Sequence, residues 1–132
     1  MFVMHQLLRY LWALPNTLIA LPVVGAALAS GARVQLSSGV LEVRGGALVW
    51  LLRHCASSIG GASALTMGHV VLALDAESLD RTRRHERVHV CQYERWGPFF
   101  LPAYLGAALY LFLTSRDAYH DNPFEREAFL SE

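Results

Sequence analysis

The stretch that decides the fold is His85-Glu86-Arg87-Val88-His89, which has the HExxH spacing of a zinc site built on a helix. Residues four positions apart lie one turn apart on the same helix face, so both imidazoles can reach one ion. Glu86 lies beside them, where it can act on a metal-bound water instead of binding the metal. The motif therefore predicts Zn²⁺ bound by His85 and His89, with Glu86 as general base. The alternative is an Arg-rich solvated helix with incidental histidines.

The residues around the motif predict one long helix. Asp75 is a suitable N-cap and Gly97-Pro98 is a strong stop signal, so the helix should run from about Asp75 to Trp96. Its motif face carries mostly donors and acceptors, each of which would cost on the order of 1–3 kcal/mol if buried unpaired. That face therefore needs a partner, which a metal ion with bound water would supply. Its members are Thr82, His85, Glu86, His89, Gln92, Tyr93 and Trp96.

A catalytic zinc site also needs a third protein ligand, with water in the fourth position. The best candidate segment is 121–128, where Asn122 as N-cap and Pro123 at the first helical position predict the start of a short helix. Glu125 and Glu127 then lie in its opening turn, on different faces because successive helical residues are about 100° apart. Only one of these two carboxylates can readily point at the ion, and the spacing alone leaves the choice open.

Between residues 33 and 74 the pattern is typical of strands. Residues 33–36 and 40–43 alternate in polarity, and the loop between them suits a hairpin with Gly39 in the left-handed region. Residues 47–52 are interpreted as a third strand and residues 65–74 as a fourth. The chain is thus predicted to form a small antiparallel sheet of about four strands.

Charge and apolar character are segregated along the chain. Apolar residues make up 54% and charged residues 17%, yet residues 11–32 and 98–115 carry no charge at all. A soluble domain of this size would interleave polar residues more often, so the segregation favours a membrane. The net charge is zero, which gives no electrostatic footprint for nucleic acid. The arginines Arg81, Arg83, Arg84 and Arg87 fit a solvated or lipid-headgroup-facing surface.

The first uncharged run has three interpretations. Residues 11–30 are about long enough to cross a bilayer, with Arg9 at the flank, and a membrane anchor is the favoured interpretation. A secretory signal is the second, because Ala27-Leu28-Ala29 resembles a cleavage site, although the run is longer than a usual signal core. A buried core helix is the third.

The HExxH helix followed by a Glu-bearing helix resembles the gluzincin branch of the zincin metallopeptidases. Many members have a Glu after HExxH and an Ala three residues after that Glu. Glu125-Arg126-Glu127-Ala128 matches this spacing, which implies Glu125 as third ligand and leaves Glu127 as the alternative. These relatives usually have Asp after the Ala, where this chain has Phe129.

A second resemblance includes a strand as well. Residues 65–71, followed by residues 85–92, are similar to small predicted metallopeptidases encoded near contractile injection systems, which share a T-x-G strand and an HExxHVxQ helix. The similarity covers residues 65–128, about half of the chain. It implies a zincin-like α+β fold that binds Zn²⁺ and a peptide or protein substrate, without naming that substrate.

These observations predict one minimal domain over residues 1–132. Residues 1–32 form an apolar anchor or embedded helix, residues 33–74 the sheet, and residues 75–132 the metal-site helices. Because Glu125 must return to the ion, the apolar helix 98–114 should fold back and pack against the first apolar segment or lie in the membrane interface. If that helix crossed the bilayer once, Glu125 would lie on the opposite side from His85 and His89. The three side chains could then not bind one ion.

The expected activity is hydrolysis of peptide bonds, with the strand 65–74 binding an extended peptide by edge pairing. The oxyanion of the tetrahedral intermediate needs a donor, for which Tyr119, His120 and Tyr93 are candidates. Gln92 could orient a ligating histidine. The alternative is a membrane-associated protein without catalysis, either a metal-binding module or a pseudoenzyme with a partner subunit.

Overall fold

A computed structural model describes residues 2–55 and 63–131, apart from the side chains of Phe2 and Cys55. The class is α+β with an N-terminal apolar helix and a four-stranded sheet, which confirms that part of the prediction. The helices are α1 (Phe2–Ala29), α2 (Ala47–Cys55), α3 (Ala76–Trp96), α4 (Phe100–Leu113) and α5 (Pro123–Leu130). The strands are β1 (Arg33–Ser37), β2 (Val40–Arg44), β3 (Ala64–Met67) and β4 (Val70–Ala73).

The sheet is mixed, so the prediction of a wholly antiparallel sheet is wrong. Its order is β1-β2-β4-β3, with β1–β2 and β3–β4 forming antiparallel hairpins. The central pair, β2 and β4, is parallel, with Leu41 opposite Val70 and Arg44 opposite Ala73. Parallel neighbours need a crossover connection, and α2 lies in that connection.

The segment predicted as the third strand is the helix α2. Leu48 and Leu52, one helical turn apart, are both buried in a cluster with Val43 and Leu72 of the sheet. The segment predicted as one strand, 65–74, is instead the β3–β4 hairpin, which turns at Gly68 with a φ of 63°. The loop predicted at 57–63 lies outside the described residues except for Ser63.

Helix α1 is buried on one face and exposed on the other. Its buried residues Ala13, Asn16, Ala20, Val24 and Ala27 follow a helical spacing, and the last three belong to the main core. Cleavage after Ala29 would remove those core residues. The exposed face carries Val3, Met4, Leu7, Leu8, Leu11, Leu14, Leu18, Ile19, Leu21 and Leu28.

Two helical stretches, Val3–Ala29 and Ala76–Leu113, are long and apolar enough to cross a membrane. All the charged residues of the second stretch lie in α3, and α4 has none. Large apolar or aromatic side chains project from α4 without cover, while Phe100 and Leu111 are buried. The exposed ones are Leu105, Leu109, Tyr110, Phe112 and Leu113.

The chain after α4 turns back along that helix. Arg116 donates its backbone N–H to the Leu111 carbonyl at 2.8 Å, and Asn122 donates its amide to the Tyr104 carbonyl at 3.3 Å. Helix α5 therefore begins beside the first turn of α4, as the fold-back prediction requires. Phe100 at the start of α4 and Ala13 of α1 belong to one core cluster, together with Tyr93 of α3.

Candidate metal centre

Helix α3 brings the HExxH motif to the interior. Asp75 caps it by accepting the Ser78 N–H at 2.7 Å, and Gly97 ends it with a φ of 58°, as the sequence predicts. The polar face of α3 is buried between β3 and α5, and only its ends reach the surface. Its buried members are His85, Glu86, His89, Gln92 and Tyr93.

Three side chains predicted as ligands lie together. His85 Nε2 is 2.9 Å from Glu125 Oε2, and His89 Nε2 is 3.2 Å from the same oxygen. The two Nε2 atoms of the imidazoles are 3.2 Å apart. Ligand atoms about 2.0–2.1 Å from a tetrahedral ion lie about 3.3 Å from one another, so the observed spacing suits such an ion. The group His85, His89 and Glu125, all buried, could therefore hold a metal ion.

The geometry separates Glu125 from its alternative, Glu127. Glu127 is 46% exposed and contacts Gln92 Nε2 at 3.2 Å and Arg95 at 3.5 Å. Asn122 caps α5 and Pro123 is its first residue, so the start of the helix is fixed. This start directs the Glu125 side chain to the interior. Burial raises the pKa of Glu125, but hydrogen bonds with His85 and His89 outweigh burial and lower that pKa to about 2. The residue is therefore a carboxylate at neutral pH, as a metal ligand must be.

Gln92 lies behind the histidine pair and is fully buried. Its Oε1 accepts a hydrogen bond from His89 Nδ1 at 2.8 Å, and its Nε2 donates to the Phe124 carbonyl at 3.0 Å. If an ion took the place of the hydrogen bond between Nε2 and Glu125, the proton on Nδ1 would leave the Nε2 lone pair for that ion, which is the tautomer that a metal needs. Gln92 thus lies beside a histidine that is predicted to be a ligand.

Glu86 lies on the wall of the cavity and receives a hydrogen bond from the Thr66 hydroxyl on β3. Burial raises the pKa of Glu86, and a buried carboxylate with a raised pKa is a stronger base than an exposed one. Thr66 was not predicted as a site residue, although it is the Thr of the T-x-G strand in the family resemblance.

Of the three predicted oxyanion donors, the structure brings two to the cavity. Tyr119 and Tyr93 line it, but the Tyr93 hydroxyl donates to the Thr66 carbonyl at 3.1 Å. His120 is exposed and lies 2.8 Å from Asp117, away from the cavity. Tyr104 of α4 was missed: its hydroxyl donates to Glu125 Oε1 at 2.7 Å. Its only signal in the sequence is a hydroxyl within an uncharged run.

A cavity of about 730 Å³ adjoins these residues. It extends from the His-Glu cluster along β3 to α1, α2 and α4. In the described part of the chain, β3 is the last strand of the sheet and pairs with β4 on one side only. This outer edge of β3, along which the Thr66 carbonyl accepts from the Tyr93 hydroxyl, borders the cavity next to Glu86.

Comparisons of the chain with family profiles, with curated proteins and with solved structures found no match.

Proposed function

We propose that this chain is a zinc-dependent metallopeptidase of the gluzincin type that associates with a membrane. The observation that carries the proposal is the convergence of His85, His89 and Glu125 on one point, with the Glu86 carboxylate on the same cavity wall. Two imidazoles and one carboxylate are a common ligand set of catalytic zinc and leave one position open. Imidazole-containing sites are unsuited to Mg²⁺ or Ca²⁺, which prefer oxygen.

In the proposed reaction a water attacks the scissile carbonyl carbon and the C–N bond breaks. Bound Zn²⁺ supplies Lewis acidity to the water and to the carbonyl oxygen. Glu86 accepts the proton of the attacking water and passes it to the leaving nitrogen, and Thr66 orients the Glu86 carboxylate for this transfer. Tyr119, on the cavity wall, is the proposed donor to the oxyanion.

The substrate is proposed to be an extended peptide paired with the edge of β3. An edge strand offers its unpaired N–H and C=O groups to an incoming segment, which gives affinity without dependence on side chains. The position of Glu86 beside Thr66 of the same strand supports this, because a backbone paired along that edge would lie next to the base, with the Thr66 carbonyl itself bonded to Tyr93.

Membrane association is proposed from the outer faces of α1 and α4. Both helices expose large apolar side chains along their length, and both lie in stretches long enough to cross a bilayer. Water around so many exposed leucines would be unfavourable, whereas lipid would not.

Metal analysis followed by substitution of Glu86 tests the enzyme. Protein purified in detergent should contain about one zinc per chain and cleave a casein-like substrate. Glu86→Gln should keep the zinc and lose about 10²- to 10⁴-fold in rate, the range for loss of a general base. His120→Gln, a change at an exposed histidine outside the cavity, should leave the rate unchanged.

The same measurements separate the alternatives. Zinc bound at one per chain, with no hydrolysis of any peptide by the unsubstituted protein, would favour a non-catalytic metal-binding module or pseudoenzyme. Protein that binds no zinc would contradict both functions.

A further inference from the structure

Away from the metal centre, the cavity has apolar walls. Its ionisable lining groups, apart from tyrosines, are His85, Glu86, His89 and Glu125, and among the described lining residues there is no Arg, Lys or Asp. The remaining wall is formed mainly by Ala, Val, Leu, Met and Phe side chains. A charged substrate side chain would lose its hydration there without gaining a partner, whereas an apolar one would not.

Two walls of this cavity are the inner faces of the two apolar helices. α1 contributes Ala20 and Val23, and α4 contributes Leu101 and Ala108. The next residues outward are exposed and equally apolar: Leu109, for example, is 57% exposed. A helix that is apolar on every side is typical of a membrane span or a large core. The same helices therefore separate the cavity from the surfaces proposed to face lipid.

We propose, on the basis of the peptidase function above, that the substrate is an apolar transmembrane segment of another protein, which enters from the lipid between α1 and α4. A peptide unwound from a helix within a bilayer needs hydrogen-bond partners that lipid cannot offer. Among the described residues no strand pairs with the outer edge of β3, so its backbone groups, apart from the Thr66 carbonyl that Tyr93 already bonds, offer such partners on the cavity wall. The apolar lining, which includes Ala108 of α4, accepts the substrate side chains.

The test uses the protein reconstituted in phosphatidylcholine–phosphatidylglycerol vesicles with one of two probes. The first probe is a synthetic Leu–Ala transmembrane peptide that carries a fluorophore and a quencher around a central cleavable sequence. The second has the same central sequence between Ser- and Glu-rich flanks and stays in water. The embedded peptide should be cleaved on the order of tenfold faster or more, compared at equal amounts per vesicle.

A matched pair of substitutions on α4 tests the route. Ala108→Trp fills the cavity wall and should slow cleavage of the embedded peptide on the order of tenfold, because added bulk in a packed space excludes the ligand. Leu109→Trp adds similar bulk to the outer face and should leave the rate unchanged. Zinc content of both variants controls for misfolding.

Capture of the probe separates failure of this inference from failure of the peptidase proposal. In the Glu86→Gln protein, a photo-crosslinking residue at position 108 should capture the embedded peptide, and one at position 109 should not. Such capture supports the inference even if the unsubstituted protein hydrolyses nothing. Faster cleavage of the water-soluble probe, or crosslinking at position 108 to lipid alone, would overturn the inference and leave the peptidase proposal standing.

Discussion

Among single residues, Gln92 connects the candidate metal centre to helix α5, which carries the proposed third ligand. One buried amide accepts from His89 Nδ1 and donates to the backbone of Phe124. Gln92→Leu should therefore lower zinc affinity by about 10- to 100-fold, the usual effect of losing a partner that orients a ligand. Competition with a chromophoric chelator measures this. Gln6→Leu, the same change on α1, serves as control, and equal affinities for the two variants would contradict the role.

The two glutamates of α5 allow a direct test of the ligand assignment. Glu125→Gln should reduce zinc affinity by a larger factor than Gln92→Leu does. The reason is that it removes a proposed ligand and leaves two imidazoles. Glu127→Gln should retain the zinc, since the Glu127 side chain is half exposed and contacts Arg95. Metal content after dialysis against a weak chelator distinguishes the two variants. Retention by Glu125→Gln with loss by Glu127→Gln would reverse the assignment.

The residues that a spacing rule can identify were found in the sequence. His85, Glu86 and His89 follow from helix geometry, and the N-cap before Glu125 sets which way its helix begins. Tyr104 was not found, since a hydroxyl within an apolar helix has no local partner and meets Glu125 only after the chain turns back.

Among the elements, β2 and α3 are joined by an ion cluster that the sequence did not predict. The arginines of α3 were interpreted as a solvated or headgroup-facing surface, but Arg83 and Arg87 bind Glu42, whose side chain is 1% exposed. The distances to Glu42 Oε2 are 3.0 Å from Arg83 Nε and 2.9 Å from Arg87 Nη2. Burial raises the pKa of Glu42, but hydrogen bonds with Arg83, Gln35 and Arg87 outweigh it and lower that pKa from 4.5 to about 2.

This cluster predicts a loss of stability in acid. The folded pKa of Glu42 lies below the unfolded value, so its contribution is complete above pH 4.5 and is lost as the pH falls towards 2. The loss should amount to roughly 3 kcal/mol at most. Glu42→Gln should be less stable at pH 7 and show a flatter pH dependence between these values. Denaturant unfolding at several pH values measures both, and parallel curves for the two proteins would contradict the prediction.

The junction of α3 and α4 depends on one glycine. Gly97 has a φ of 58°, and a Cβ there would lie 2.3 Å from Trp12 Cε2 of α1. Its carbonyl also accepts a hydrogen bond from Asn16 at 2.9 Å. Gly97→Ala should therefore destabilise the protein by about 2–4 kcal/mol, from backbone strain and overpacking. Gly106→Ala, where a Cβ meets no described atom within 4 Å, should be neutral or slightly stabilising. Thermal unfolding in detergent compares the stability of the two variants. Equal midpoint temperatures would contradict the predicted strain at position 97.

The elements that the sequence predicted wrongly share one cause. The apolar run that became α2 is short, and periodicity alone does not distinguish a buried strand from a buried helix. Leu48 and Leu52 of α2 pack against the sheet. The sheet surface that they contact forms only when β4 pairs in parallel with β2. The turn at Gly68 was likewise concealed because both strands of its hairpin are apolar. The long helix α3, with a cap at each end, was predicted correctly.

At the scale of the whole molecule, α1 is a structural component as well as an apolar surface. It donates from Tyr10 to the Gly39 carbonyl at 2.6 Å, and its Thr17 accepts from the His69 N–H at 3.1 Å. A chain without residues 2–29 should therefore fail to fold and should bind no zinc. Circular dichroism and metal analysis test this. A folded, zinc-loaded truncated protein would support the signal-peptide interpretation.

Polar substitutions on the outer face of α1 should have a different effect from truncation. Replacement of Leu7, Leu8 and Leu11 by Ser leaves the buried stripe intact, so zinc content should persist. Partition into vesicles should weaken, because those side chains no longer favour lipid. Loss of zinc together with partition would show that this face packs against protein instead. The separation of charged from apolar residues along the sequence predicted the apolar helices. It could not show which face of each helix is buried, because burial depends on contacts with residues distant in the chain.

The position of α4 between the two parts of the metal centre has a consequence for biosynthesis. His85 and His89 leave the ribosome well before Glu125. The whole apolar helix α4 is synthesised between them and Glu125. Until the segment after α4 has turned back, the nascent chain offers only the two imidazoles as ligands, and these alone would bind a cation weakly. If the group binds an ion, loading should therefore be a late event that follows placement of α4, and a chain stalled before residue 125 should bind the ion poorly.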